Sequence, residues 1–455
     1  MTISPARRVA YRVIREVEAS DAYANLLLPA TIARAGLDVR DAALATELTY
    51  GTLRRRGTYD AIIAAAAART VDRIDPPVLD ALRLGVHQLM STRVASHAAV
   101  HETVDLVRET TGEGATGFAN AVLRRVARET PGDWMARITA TARSADERDA
   151  LRSGHPVWIL RAFRRALAAE GRADELPALL EADNASPAVT LAALPGLSAG
   201  AGLEPTPLSP IGYRWPGSDP AAALAESGGS LRVQDEGSQL AALALSRVRP
   251  VQAGERWLDL CAGPGGKTAV LAAEAWAGGA VLSANEPIPA RARLVRDAVA
   301  ATPARVDVTE RDGVLRARSE PDRYDRVLVD APCTGLGALR RRPEARWRKS
   351  PADVPGLARL QRSLLAAAAG ALAPGGVLAY VTCSPHPAET ADVVRAVRAQ
   401  YGEELEELDA RAVLQRIARH PMDLAVPRDG SGRAQLWPHR HGTDAMSITL
   451  LQRRG

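Results

Sequence analysis

A chain of 455 residues is too long for one ordinary core and predicts two or three domains. Its 46% apolar and 24% charged residues suit a folding globular chain, and no apolar run is long enough to cross a bilayer. The net charge of +5 suits a polyanionic partner without requiring one, and with Lys267 and Lys349 as the only lysines the Arg-rich, Ala-rich usage reads as that of a GC-rich genome.

Residues 1 to about 130 read as helices only. Apolar positions recur at i, i+3, i+4 spacing over residues 7–18, 40–53 and 58–68. Pro76-Pro77 opens a further helix over 78–90, since Pro suits a first turn, and residues 97–109 and 117–128 complete the set. Arg7, Arg8, Arg12 and Arg15 at helical spacing look like a transit peptide, but Glu16 and Glu18 follow and the periodicity continues as a domain helix. A cytoplasmic protein is the expectation. Residues 131–230 read as a connecting subdomain, helical or small α/β, with helical patterns over 156–169 and 176–184 and a strand over 189–194. Pro205, Pro207 and Pro210 exclude a continuous element in its later part.

From about residue 231 to 455 the pattern becomes strand, turn, helix, repeated. Strands are expected over 256–261, 280–285, 306–309, 326–330 and 377–382, with helices over 268–276 and 289–301. Such alternation predicts a parallel sheet covered on both faces. Residues 447–451 read as a late edge strand.

The chemistry-bearing residues fall at the carboxyl ends of these strands, where open α/β sheets bind ligands. After the first comes Asp259-Leu260-Cys261-Ala262-Gly263-Pro264-Gly265-Gly266-Lys267-Thr268. Glycines let a backbone approach a ligand, and the next helix offers unpaired N–H groups. The spacing from first Gly to Lys is wrong for the phosphate-binding loop G-x-x-x-x-G-K-[ST]. Acids follow in register: Glu286 after the second strand, suited to a ribose diol, Asp312 after the third, suited to an adenine amine, and Asp330 ending the fourth. Each alone reads equally as a turn or cap residue. Asp330-Ala331-Pro332-Cys333-Thr334-Gly335 and Tyr380-Val381-Thr382-Cys383-Ser384-Pro385 end two strands and bring Cys333 and Cys383 to one rim. A single free cysteine reads as a small buried apolar residue, whereas two at strand ends, both near a Pro, read as chemistry, since helix N-termini or nearby cations can stabilise a thiolate there. Three cysteines with no C-x-x-C pair predict neither a zinc site nor a disulfide framework, and no metal is expected.

The loop CAGPGGKT, the run DAPCTG and the strand end TCS resemble the hallmarks of the Nol1/Nop2/Sun family of RNA cytosine-C5 methyltransferases, in order and spacing across 231–455. Gly263 stands where the family usually has Ala, a small change. Residues 232–239 are similar to the segment leading into the family's catalytic domain. At the front, residues 40–54, 82–103 and 120–124 are similar to a NusB-like helical RNA-binding domain, as in the bacterial Sun branch, whose members methylate a 16S rRNA cytosine. The resemblance implies a multidomain protein: an all-α NusB-like domain (1–130), the connecting subdomain (131–230) and a Rossmann-like class I methyltransferase domain (231–455).

The resemblance also implies S-adenosylmethionine as cofactor and RNA, 16S rRNA first, as partner; a monomer without membrane or metal is expected. It makes Cys383 the nucleophile at cytosine C6, Cys333 the residue that helps remove the C5 proton and release the product, and Asp330 a residue that contacts or protonates N3. Cys261, Ala262, Gly263, Pro264, Gly265, Gly266, Lys267, Glu286, Asp312 and Asp330 are the expected cofactor residues. Arg340, Arg341, Arg342, Arg346, Arg348 and Lys349, interrupted by Trp347, form a basic run expected to contact RNA, with a charged solvated loop as the alternative. Arg54, Arg55 and Arg56 make a second, weaker patch. Competing readings are the same reaction on tRNA, a non-catalytic antitermination-type RNA binder, a small-molecule methyltransferase, and a DNA cytosine methyltransferase. The last commonly relies on one Pro-Cys nucleophile rather than two cysteines.

Overall fold

The computed structural model describes residues 3–20, 22–200, 202–217 and 220–455. It comprises two compact units, one of Met1–Arg161 with Asp183–Ala185 and Leu339–Arg348, the other of Ala162–Ala182, Ser186–Ala338 and Lys349–Gly455.

The first unit is helical. Ser4 caps the helix Pro5–Ala19 by accepting from the Arg7 N–H, Asp38 caps Val39–Arg54 through Asp41, and Pro76 opens Pro76–Ser91. Arg56–Ala67, Ser96–Thr111 and Thr116–Val126 complete the expected set. A further helix, Ala24–Ala35, escaped the periodicity because Pro29 lies inside it and few of its residues are buried. The core gathers Val13, Ile14, Leu48, Ile63, Leu82, Leu106 and Leu123. Trp134 closes it from Pro131–Ala140, wholly buried, with its Nε1 donating to the Val126 carbonyl at 2.9 Å.

The second unit contains two sheets. A small antiparallel one has strands β1 (Thr190–Ala193), β2 (Glu204–Pro205), β3 (Gly212–Arg214) and β4 (Leu231–Val233) in the order β2-β3-β1-β4. Prolines keep β2 to two residues. The large sheet has β5 (Arg256–Asp259), β6 (Val281–Asn285), β7 (Asp307–Thr309), β8 (Tyr324–Asp330), β9 (Leu372–Thr382), β10 (Leu405–Leu408), β11 (Ala434–Gln435) and β12 (Ser447–Arg453). Its order is β10-β12-β9-β8-β5-β6-β7, with β11 paired to β12.

From β7 to β9 all pairs are parallel, whereas β12 runs antiparallel to both neighbours, so the sheet is mixed rather than purely parallel. Nor is β12 an edge strand as expected: it lies between β9 and β10, with Ile448, Leu450 and Leu451 buried. The true edge, β10, reads Leu-Glu-Glu-Leu and shows no apolar alternation by which a sequence could betray it. The strand order reverses between β8 and β5. In open α/β sheets, ligands bind at such a switch point, beyond the carboxyl ends of the strands.

Candidate active site

At the end of β5 the buried Asp259 accepts from the Thr268 hydroxyl at 2.8 Å, tying the start of the glycine loop to the helix Gly266–Gly278 that follows it. Burial pushes the Asp259 carboxyl up to about 7, against the pull of that hydrogen bond. Gly265 is required by its left-handed backbone, whereas at Gly263 only flexible side-chain ends stand in the way of a Cβ. A Cβ on Gly265, whose φ is +104°, would lie 2.5 Å from Ala298 Cβ, and one on Gly263 would lie 2.2 Å from Glu286 Oε2. Gly265 also leaves the helix Gly266–Gly278 without a side-chain cap, so its first N–H groups are unspent by any capping side chain.

Glu286, buried after β6, accepts from the Gly263 N–H through Oε2 and from the Ile288 N–H through Oε1, each at 3.1 Å. Its neighbour Asn285 was missed by sequence reasoning. The Asn285 amide donates to the carbonyls of Leu260 (3.3 Å) and Arg311 (3.0 Å), stapling the loops after β5 and β7, and nothing in the pattern distinguishes it from an ordinary strand terminus. Asp312 is exposed and caps the helix Gly313–Arg318 by accepting from the Leu315 N–H at 2.9 Å.

Lys267 reaches across the switch point to Asp330 at the end of β8, Nζ to Oδ2, at 2.7 Å. Burial works against the charged ammonium, but the Asp330 carboxylate outweighs it and the Lys267 pKa is raised overall. Cys261 lies in the glycine loop, its thiol pushed well up, chiefly by burial and then by Asp259.

Strands β8 and β9 pair in parallel with Asp330 opposite Val381, which sets Cys333 and Cys383 on the same rim. Their sulfurs are 3.4 Å apart and both side chains are partly exposed. The pair is asymmetric. The hydrogen bond shared with Cys333 lowers the Cys383 pKa; Lys267 lowers it too, whereas burial, Asp330 and Asp444 oppose. The same bond raises Cys333, and burial adds to it. Of the two, Cys383 is the one favoured to ionise. Another residue missed from sequence, Glu389, is fully buried behind both cysteines and bonded to Thr334 and Ser384.

The basic run departs from expectation. Arg340 and Arg346 are buried, and the whole segment Leu339–Arg348 belongs to the helical unit. Arg346 donates to the Arg54 carbonyl (2.5 Å), Asn184 Oδ1 (2.9 Å) and the Asp183 carbonyl (3.0 Å), and burial pulls its pKa down to about 9. Arg348 donates to the carbonyls of Val17 and Ser20 and, with Arg342, lies over the Tyr23 ring. Trp347 packs on Gly57, where an added Cβ would come within 2.6 Å of its ring. The reading of Arg340 and Arg346 as RNA contacts is therefore corrected: both are enclosed within the fold, whereas Arg348, though it donates to backbone carbonyls, is partly exposed. A run of Arg around a Trp looks the same in sequence whether solvated or internal. Arg341 and Lys349 are partly exposed. In the second patch Arg54 is likewise buried, and Arg56 pairs with Glu18 at 2.7 Å. Among the described residues, no cluster of His, Cys, Asp and Glu could hold a metal ion, and no helix is long and apolar enough to cross a membrane.

Residues 247–452 match the model of the 16S rRNA methyltransferase RsmB/F family and residues 4–128 that of the NusB family. "Putative methyltransferase Rv1407" of Mycobacterium tuberculosis is 46% identical over 459 residues, covering 99% of this chain and 97% of that protein. The ribosomal RNA small subunit methyltransferase B of Pseudomonas putida is 32% identical, covering 87% and 89%. Among solved structures, that of PH0851 superimposes with a TM-score of 0.80 over the full length of both chains at 22% identity, a likeness of fold.

Proposed function

Because the chain belongs to the RsmB/F family of 16S rRNA methyltransferases, we propose that it methylates C5 of a cytosine in 16S rRNA through a covalent bond between Cys383 and cytosine C6. The observation that carries the reading is the pair of cysteine sulfurs 3.4 Å apart beside the Lys267–Asp330 ion pair. A methyl transfer to a more nucleophilic atom needs no such pair.

S-adenosylmethionine is the methyl donor, and when bound it supplies an electrophilic methyl group. The site suits it. Glu286 offers a buried carboxylate to a ribose diol, the uncapped N-terminus of the helix Gly266–Gly278 suits a carboxylate, and the steric fit of Gly263 and Gly265 keeps the loop backbone close. Cys261, Ala262, Pro264, Gly266 and Lys267 complete the loop, and the exposed Asp312 suits the adenine amine.

Cytosine C5 is a poor nucleophile. The Cys383 thiolate adds to C6, forming an S–C6 bond and moving the C5–C6 π pair toward N3, so that C5 becomes enamine-like. A proton carried on Asp330 is given to N3 as charge develops there and is returned when the C5–C6 double bond re-forms, and Lys267 holds Asp330 in place. Once Cys383 is a thioether it no longer accepts from Cys333, which then loses its proton to solvent. The Cys333 thiolate takes the proton from methylated C5, the C5–C6 double bond re-forms, and Cys383 leaves as thiolate. One proton is released overall. The base must be unstacked or single-stranded to reach the rim, and the NusB-like helical unit supplies further RNA contact.

Incubation of unmodified 16S rRNA with methyl-labelled S-adenosylmethionine tests this. Label is expected in 5-methylcytosine with the wild type and lost by about 10³-fold or more in Cys383→Ala. Cys333→Ala is expected to trap a denaturant-stable protein–RNA adduct. Full activity of Cys383→Ala excludes the covalent mechanism, whereas labelling of tRNA alone keeps the chemistry and replaces the substrate.

A further inference from the structure

The mechanism above gives no task to the buried acid nearest the two cysteine loops. Glu389, at the end of the short helix Pro387–Glu389, is 0% exposed and makes no ion pair among the described residues. A carboxylate so placed must be stabilised by hydrogen bonds alone. Its Oε1 accepts from the Thr334 N–H at 2.8 Å and from Gln361 Nε2 at 3.3 Å. Its Oε2 accepts from the Thr334 hydroxyl at 2.5 Å and the Ser384 hydroxyl at 2.7 Å.

The identity of these partners is informative. Thr334 follows Cys333 in the chain and Ser384 follows Cys383, so one carboxylate grips both cysteine loops. Gln361 extends the grip, since the same amide nitrogen donates to the carbonyl of Pro332, on the other side of Cys333, at 2.8 Å. Other direct ties between the loops among the described residues include the Cys333–Cys383 sulfur contact itself, the Thr334–Ser384 hydroxyl contact at 3.1 Å and the bond from the Gly337 N–H to the Cys383 carbonyl at 2.8 Å. Glu389 itself is anchored through its backbone, whose carbonyl accepts from the Tyr380 hydroxyl at 2.7 Å. All the side-chain partners are donors, which fits an ionised acceptor.

We propose that Glu389 is a positioning residue that sets the separation of Cys333 and Cys383 by clasping the loops that bear them. The proposal deepens the covalent reading above and rests on it for its catalytic consequence, although the clasp can be measured without catalysis. Two sulfurs at 3.4 Å form a disulfide readily when a thiol oxidant such as diamide takes up their two electrons and two protons. With the pH set so that the thiolate fraction matches between variants, the rate of that cross-link reports their separation.

The full-length protein without RNA is treated with diamide and then alkylated, and the Cys333–Cys383 cross-link is followed by peptide mass spectrometry. Methyl transfer is assayed in parallel. Glu389→Ala is expected to slow cross-linking by about 10-fold or more and kcat by about 100-fold, with KM for S-adenosylmethionine unchanged. Glu389→Gln retains an acceptor for Thr334 and can donate to two hydroxyls that rotate to accept, so it is expected to restore cross-linking to within about 3-fold of wild type. Ser384→Ala, which severs only the Cys383 side, serves if Glu389→Ala does not fold; it is expected to fall between the two. Wild-type cross-linking in both Glu389→Ala and Ser384→Ala overturns the proposal, whatever happens to activity. Slowed cross-linking with undiminished methylation upholds the clasp and instead refutes the catalytic roles given to the cysteines.

Discussion

The loop that starts at Cys333 and the basic run that starts at Arg340 are neighbours in the chain, and both contain side chains that invite a functional reading. Their fates differ. The first brings a partly exposed thiol to 3.4 Å from a second one, across two paired strands. The second folds into the helical unit, where Arg346 spends its guanidinium on the carbonyls of Arg54 and Asp183 and on Asn184. The lesson is about partners. A cysteine at a strand end gains its chemistry from a second group the topology must bring to it. A buried arginine needs only unpaired acceptors, which any helix end supplies.

This contrast can be broken first at Arg346. Arg346→Met leaves its acceptors buried and unpaired and is expected to lower stability by about 3 kcal/mol, read from denaturant unfolding of the helical unit. A loss below about 0.5 kcal/mol, with a weaker salt dependence of RNA binding, would return Arg346 to the RNA-contacting class.

The thiol side is sharpened by pH. The Cys383 pKa is lowered, so its alkylation by iodoacetamide should reach half its maximal rate below the ordinary thiol range. Removing the hydrogen bond with Cys333→Ala should move that midpoint upward, and Lys267→Met should move it upward by less, in keeping with the order of the two influences. A downward move in either variant would contradict the assigned polarity of the pair. The smallest effect is expected at Lys349, which is partly exposed. Lys349→Gln should leave stability unchanged and, if this residue meets phosphate, reduce the slope of log affinity against log salt by about one.

Much of the fold was legible in advance because its signals are local. Helical spacing across residues 7–128, prolines in first turns and the strand–turn–helix alternation after residue 231 each depend on near neighbours. The short β10 and the Pro-containing helix Ala24–Ala35 were not legible, since one lacks apolar alternation and the other has an internal breaker. The position of β12 escaped for a different reason: a chain-terminal strand carries no mark of how many neighbours it will pair with.

The sequence by itself determined which residues stand at strand ends: the glycine loop, Glu286, Asp330 and the two cysteines, because motif and spacing are properties of the chain. Only the tertiary structure decided what those residues meet. The 3.4 Å between the sulfurs, the reach of Lys267 to Asp330, the grip of Glu389 on both loops and the burial of Arg346 join residues far apart in sequence. Hydrogen bonds and desolvation act through space, over a few ångströms, and no linear pattern records which distant residue will occupy that space.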